Sequence, residues 1–158
     1  MLLDLLNTTP VLDDGQHDVL AEDGPRWLAA HDQPTSDDEL RALVAARDAL
    51  QAVVRGQEEP AALAPFVEGV RQRARFDSTG VTWDLDLPEG RTAAARAVLA
   101  WDALRLSSPG RLRPCENPDC RLFLIDHSKP NSARWCSMAV CGNRMKARRH
   151  YQRTRGDR

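Results

Sequence analysis

Apolar positions along the chain follow two different spacings, and most of them follow the helical one. In SDDELRALVAARDALQAVV, residues Leu40, Leu43, Val44, Leu50, Val53 and Val54 recur near the period of a helix, and Ser36 precedes Glu39 at capping-box spacing. This predicts a helix from Asp37 to Arg55. RTAAARAVLAWDALRL places Ala94, Ala97, Val98, Trp101 and Leu104 on one helical face. Proline is tolerated in a first turn, so a further helix is expected from Pro65 to Arg73. The first 35 residues are broken by Pro10, Gly15, Gly24, Pro25 and Pro34, which leaves room for short helices near Leu2 to Leu6 and Arg26 to Ala30. One stretch alternates instead: in VTWDLDLP, Val81, Trp83, Leu85 and Leu87 take turns with Thr82, Asp84 and Asp86, the pattern of a strand with one buried face. The turn DSTG before it suggests a hairpin with Arg73 to Phe76. The predicted fold class is mainly α with a small β-hairpin. SSPGRLRP reads as a connection between a helical amino-terminal domain, residues 1–110, and a small carboxy-terminal module, residues 111–158.

Charge sharpens that division. Residues 1–110 hold 10 Lys and Arg against 19 Asp and Glu, formally -9, and residues 111–158 hold 12 against 4, formally +8, which together give the net -1 of the chain. A polyanionic partner for the basic half would account for this, and so would a basic tail folded against its own acidic domain. No apolar run approaches the roughly 20 residues of a membrane span. The start MLLDLLNTTP carries Asp4 where a secretion signal has a basic end, so a cytoplasmic location and no membrane partner are expected.

All four cysteines lie in the basic half, spaced as Cys115-x4-Cys120, fifteen residues, and Cys136-x4-Cys141. Two close pairs separated by a loop long enough for a hairpin suit one tetrahedral zinc ion held by four thiolates. A reducing compartment and the paired spacing argue against two disulfides or four ordinary buried thiols, and nothing here matches a ferredoxin-type cysteine run. Metal binding would also stabilise a module with too few apolar residues for a core of its own, so its removal is expected to unfold residues 111–158 and leave the helical part largely intact. A closed four-cysteine site has no open position for an activated water. Thiol hydrolase chemistry from Asp126 and His127 is disfavoured for the same reason, and no enzyme is expected. His17, His31, His127 and His150 are not expected as ligands. Phe123 and Trp135 read as miniature core in preference to stacking platforms.

After Cys141, GNRMKARRHYQRTR contains no proline and can form a helix of about three to four turns. Met145 marks its inward side, Lys146, Arg149 and Arg153 form one stripe, and Arg144, Arg148, Tyr151 and Arg155 form another. No acid occurs from Asn131 through Gly156, whereas solvated helix faces usually mix both signs. The expected partner is nucleic acid, with Arg144, Lys146, Arg148, Arg149, Arg153 and Arg155 as candidate contacts. The alternative is a zinc-stabilised protein-protein adaptor whose basic helix docks an acidic surface. For Arg144, reading bases and bonding within the module, to Asp126 for example, both stay open.

The string LRPCENPDCRLFLIDHSKPNSARWCSMAVCGNRMKARRHYQR closely resembles the CGNR zinc-finger family, whose naming motif stands here as Cys141, Gly142, Asn143 and Arg144. The match includes the Leu112 and Arg113 lead-in, both cysteine pairs, Phe123, Asp126, Ser128, Asn131, the run Arg134 to Ser137, and Lys146. Residues 1–110 look like the helical ABATE domain found before this finger, with LDLLNT at Leu3 to Thr8 matching its opening. The resemblance implies a bacterial, stress-linked transcription regulator with one structural Zn2+ on the four cysteines and DNA as partner. It also implies Arg144 and Lys146 as DNA contacts and a small-molecule ligand for the amino-terminal domain. Whether two chains pair as a homodimer to read a palindrome is left open.

Overall fold

The structure, a computed structural model, describes residues 1–156. It is about half helical, with three two-stranded hairpins. In chain order these are α1 (Leu2–Leu6), β1 (Val11–Leu12), β2 (Gly15–Gln16), α2 (Val19–Ala30), α3 (Asp37–Val54), a 3-10 turn (Pro60–Leu63), α4 (Ala64–Val67), β3 (Arg71–Asp77) and β4 (Gly80–Asp86). Then follow α5 (Thr92–Ser107), β5 (Leu112–Pro114), β6 (Phe123–Ile125), a π-helical turn (Met138–Gly142) and α6 (Asn143–Gly156). Each hairpin is antiparallel and pairs neighbours in sequence. Among the described residues, no helix is long and apolar enough to cross a membrane.

The core forms where α1, α3 and α5 meet. Leu5, Leu6, Leu28, Leu43, Leu50, Ala93 and Ala97 are fully buried there, with Trp101 beside them. Glu39 shows how tertiary structure redirects a local signal. Ser36 caps α3 by accepting the Glu39 N–H at 3.3 Å, yet the Glu39 carboxylate reaches across to α5. There it accepts the Thr92 and Ala93 N–H groups at 2.8 and 3.0 Å. Those donors are orphans of the first turn of α5, whose dipole also favours the negative charge, so a buried Glu39 links the first turns of the two central helices. Arg47, likewise buried, forms a two-pronged bond to Asp18 at 2.7 and 2.9 Å. Asp18 in turn caps α2 by accepting the Leu20 and Ala21 N–H groups.

Three expectations change. The amino-terminal segment supports a longer helix than its prolines suggest, because α2 kinks at Asp23 and Pro25 falls in the first turn after the kink, where its missing N–H costs nothing. Gly24 there lets α2 lie on α3, since a Cβ would meet Leu40 at 2.4 Å. No helix runs from Pro65 to Arg73: Gly69 takes φ +82, the chain turns, and Arg71 begins β3. The β3–β4 hairpin is real, but its apolar face is not buried. Phe76 is 80%, Trp83 64%, Val81 52% and Leu85 42% exposed, because no other element lies over the ribbon among the described residues.

The carboxy-terminal module shares the helical core. Phe123 of β6 is 1% exposed and belongs to the same cluster as α1, α3 and α5. The Asn7 side chain acts as one further rung of the β5–β6 ladder, accepting the Phe123 N–H at 2.7 Å and donating to the Phe123 carbonyl at 3.2 Å. Arg55 donates to the Arg121 carbonyl at 2.8 Å and lies over the Phe123 ring, 4.3 Å from its centroid. Phe123→Ala should therefore destabilise the whole chain, by about 3–5 kcal/mol, and Asn7→Ala by about 1–3 kcal/mol. Urea unfolding followed by far-ultraviolet circular dichroism, which reports mainly the amino-terminal helices, checks both. A Phe123→Ala midpoint equal to wild type would show that the module is not part of that core.

Candidate metal centre

Two local folds bring the thiols together. In the first, Cys115 ends the β5–β6 hairpin, with its N–H donated to the Leu122 carbonyl at 2.8 Å. The chain then doubles back through Asn117 and Asp119, closed by the Cys120 N–H on the Asn117 carbonyl at 2.9 Å and the Asp119 N–H on Asn117 Oδ1 at 3.2 Å. In the second, Ser137 opens the π-helical turn, accepting the Val140 N–H on its hydroxyl and the Gly142 N–H on its carbonyl. Cys141 lies in that turn, immediately before α6.

The four sulfurs all lie within 4.8 Å of one another. Cys120 and Cys136 are 3.7 Å apart, and Cys136 and Cys141 3.6 Å apart. A zinc ion with sulfur ligands at about 2.3 Å in tetrahedral array requires sulfurs about 3.8 Å apart, so the cluster fits one ion. These separations are far too long for a disulfide, near 2 Å, and all four cysteines are free. Three N–H groups point at sulfur: Leu122 at Cys120 and Cys136 at Cys115, both at 3.5 Å, and the buried Asn117 amide at Cys141 at 3.4 Å. Donors aimed at sulfur suit thiolates that carry negative charge for a cation.

The electrostatics of the cluster without its ion point the same way. Burial first, and then the neighbouring thiols, push Cys120 up to about 11. The same causes push Cys136 up. For Cys141, burial is outweighed by the Asn117 amide and the surrounding thiols, and its pKa is lowered. Cys120 and Cys136 thus hold their protons more tightly than a free thiol, and a bound cation would displace them.

Residues 111–154 match the family model of the CGNR zinc finger. No curated protein matches the chain. With the four-cysteine cluster, this match makes the carboxy-terminal segment a zinc-binding finger that holds one ion.

The naming motif of the finger now has a physical account, residue by residue. Cys141 is a ligand. Gly142 lets the first turn lie against Trp135, because a Cβ would stand 3.3 Å from that ring and 2.9 Å from the Met138 thioether. Asn143 donates to the Ala139 carbonyl at 3.1 Å, tying α6 to the turn before it. Arg144 faces solvent beside the cluster, sharing a cleft with Val11, Leu12, Asp119 and Val140. It does not bond to Asp126. That carboxylate is buried and belongs to Arg113, at 2.8 Å, and to the N–H groups of Ser128 and Ala133, at 2.8 and 2.7 Å. Hydrogen bonding from Ser128 leads in holding Asp126 down at about 2, with the Ala133 N–H and Arg113 adding to it against the opposing effect of burial.

The other cations of α6 lie as follows. Lys146, Arg148, Arg149 and Arg153 are exposed, while Met145 is half-buried on the inward side. Arg148 pairs with Asp119 of the first cysteine turn at 3.3 Å and so braces the helix against the finger. The Arg155 side chain lies outside the described residues. His127 and His150 are exposed, and among the described residues the cluster that could hold a metal consists of the four cysteines. The readings from sequence missed Asn117 and Asn7. The place of Asn117 inside the first cysteine pair was a usable signal. For Asn7, 116 residues from its partner, the LDLLNT motif marked the segment but not the role.

Purified protein should carry one zinc per chain by metal analysis. Asn117→Ala should keep that stoichiometry while weakening affinity ~10–100-fold in competition with a chromogenic chelator. Because Cys120 and Cys136 of the metal-free cluster are shifted up, zinc uptake should release protons and affinity should rise with pH through the neutral range, measured by the same competition. Zinc removal should also loosen the helices, since the β6 strand that carries Phe123 is held by the finger. A fall in the thermal midpoint of the far-ultraviolet signal reads this out, and an unchanged midpoint would instead fit the expectation of an intact helical part.

Proposed function

We propose that this chain is a DNA-binding protein, a bacterial transcription regulator whose structural zinc presents α6 to nucleic acid. The observation that carries the reading is the surface of α6: Arg144, Lys146, Arg149 and Arg153 are exposed on a helix whose start is fixed by a metal ligand, with no acid from Asn131 through Gly156. Cations arrayed along a rigid helix suit the phosphate rows flanking a groove, where each neutralised phosphate releases counterions. Arg144 lies in the first turn, where a recognition helix presents side chains to base edges, and its solvent-facing position leaves it free for that role. Arg148 contributes less, being paired with Asp119.

The stress-linked role and a ligand for the amino-terminal domain belong to this same reading. An apolar groove of about 240 Å3 lined by Leu63, Val67, Val98, Leu99 and Trp101 offers a place for such a ligand. Catalysis has no part in it, because four thiolates fill the coordination sphere of the zinc. The second reading, an adaptor that docks an acidic protein, is favoured by one observation: Met138 and Val140, at the start of the same helical segment, expose 57% and 56% of their surface.

Binding to random duplex DNA across a salt series separates the two. A regulator should lose affinity steeply with salt, and Arg149→Ala with Arg153→Ala should flatten the slope by about two. Arg144→Ala should instead erode the preference for a selected site over a scrambled one, at unchanged zinc content. Little binding at physiological salt, with an unchanged slope in the double variant, would support the adaptor.

A further inference from the structure

The β3–β4 ribbon stands outside the core, and its two faces differ completely. Pairs directly across the strands share a face, so the register Gln72↔Leu85, Ala74↔Trp83 and Phe76↔Val81 puts all the large apolar residues of the ribbon on one side. The other side holds Arg71, Arg73, Arg75, Thr82, Asp84 and Asp86, already neutralised by Arg73–Asp86 at 2.9 Å and Arg75–Asp84 at 2.6 Å. An isolated two-stranded hairpin is marginal in water, and this one leaves Trp83 64% and Phe76 80% exposed. Such a face calls for a cover.

We propose that the cover is the same face of a second copy of this chain, packed ribbon on ribbon about a twofold axis running along the strands. Three features select this occupant. First, that axis lays each β3 over the partner's β4, so Trp83 sits over the partner's Ala74 and Phe76 over the partner's Val81, large against small at two of the three levels of the apolar face. Second, charge disfavours the other arrangements. Residues 71–86 hold three arginines, all on β3, and three aspartates, two of them on β4, so the ribbon is neutral and offers a nucleic acid or an acidic protein no net attraction. Edge-to-edge pairing of like strands would set Arg beside Arg or Asp beside Asp, which is destabilising, whereas the face-to-face twofold leaves the charged rows on the outer faces, where Arg73–Asp86 and Arg75–Asp84 are already paired within each ribbon. Third, the area suffices. Two aromatic side chains bury about 150–250 Å2 each when covered, and with Val81 and Leu85 the face amounts to roughly 500 Å2 per copy and about 1,000 Å2 for the pair, where specific interfaces begin. The proposal involves neither zinc nor DNA, so it stands or falls separately from the regulatory reading.

Sedimentation equilibrium of the full zinc-loaded chain from 1 to 100 μM, without DNA, tests it. Wild type should tend to twice the 17.6 kDa chain mass. Phe76→Ser with Trp83→Ser should weaken association by at least ~100-fold while zinc content and helicity stay at wild-type levels. Ala74→Trp is the decisive variant. It enlarges the exposed apolar face, so nonspecific sticking would strengthen, but it fills the seat of the partner's Trp83, so the proposed dimer should weaken. That variant decides the question even if the double variant loses its fold. A wild-type monomer throughout the range, or an Ala74→Trp protein that associates more tightly, overturns the proposal. A monomer that binds phosphatidylcholine vesicles with a blue shift in emission lost in Trp83→Phe also overturns it, in favour of a lipid surface.

Discussion

Four thiolates brought to one point repel each other and have lost much of their water, and the carboxy-terminal third of the chain is arranged around that difficulty. Two turns, one closed by Asn117 and one opened by Ser137, set the sulfurs at separations suited to one tetrahedral ion. N–H donors from Leu122, Cys136 and Asn117 share the charge that the ion does not neutralise. The π-helical turn follows from the same demand, because it lets Cys141 act as a ligand while α6 leaves the cluster at once. Without a metal to fix that start, a segment as cationic as α6 would have little to hold it in one place.

The finger is too small to bury its own apolar residues and uses the core of the helices instead. Phe123 enters the space between α1, α3 and α5, while Asn7 secures its own backbone and Arg55 that of Arg121 just before it. Metal and core thus hold the same end of β6, where Phe123 follows Cys120 by three residues. Asp126, just beyond that strand, does comparable work for the loop leading to the second cysteine pair by gathering Arg113, Ser128 and Ala133 around one buried carboxylate. A ligand that moved α1 or α3 would act on the finger through Phe123, a physical route between the proposed sensing and reading halves.

Charge and burial divide the labour in the rest of the molecule. The buried ions, Glu39 and Arg47, each bond to a helix end or to a residue that caps one, so they fix the helices relative to one another. The exposed cations gather on α6, and the exposed aromatic surface gathers on the β3–β4 ribbon. Keeping these two surfaces on separate elements allows one to meet a polyanion while the other meets an apolar partner.

Much of the site was legible in the sequence because it depends on local spacing. The paired cysteines, the uninterrupted cationic helix after them, and the helices at Asp37 and Thr92 all follow from periods and turns a few residues long. What only tertiary structure decided involves partners far apart in the chain. Glu39 has the spacing to cap its own helix but caps α5, since the burial of α3 against α5 brings two orphan N–H groups within reach. Asn7 is an unremarkable polar residue until β6 folds beside it. The alternation in VTWDLDLP correctly announces a strand with an apolar face, but alternation does not say what covers that face. Whether such a face is buried depends on which elements the rest of the chain can place over it, and here the helices are already spent on one another.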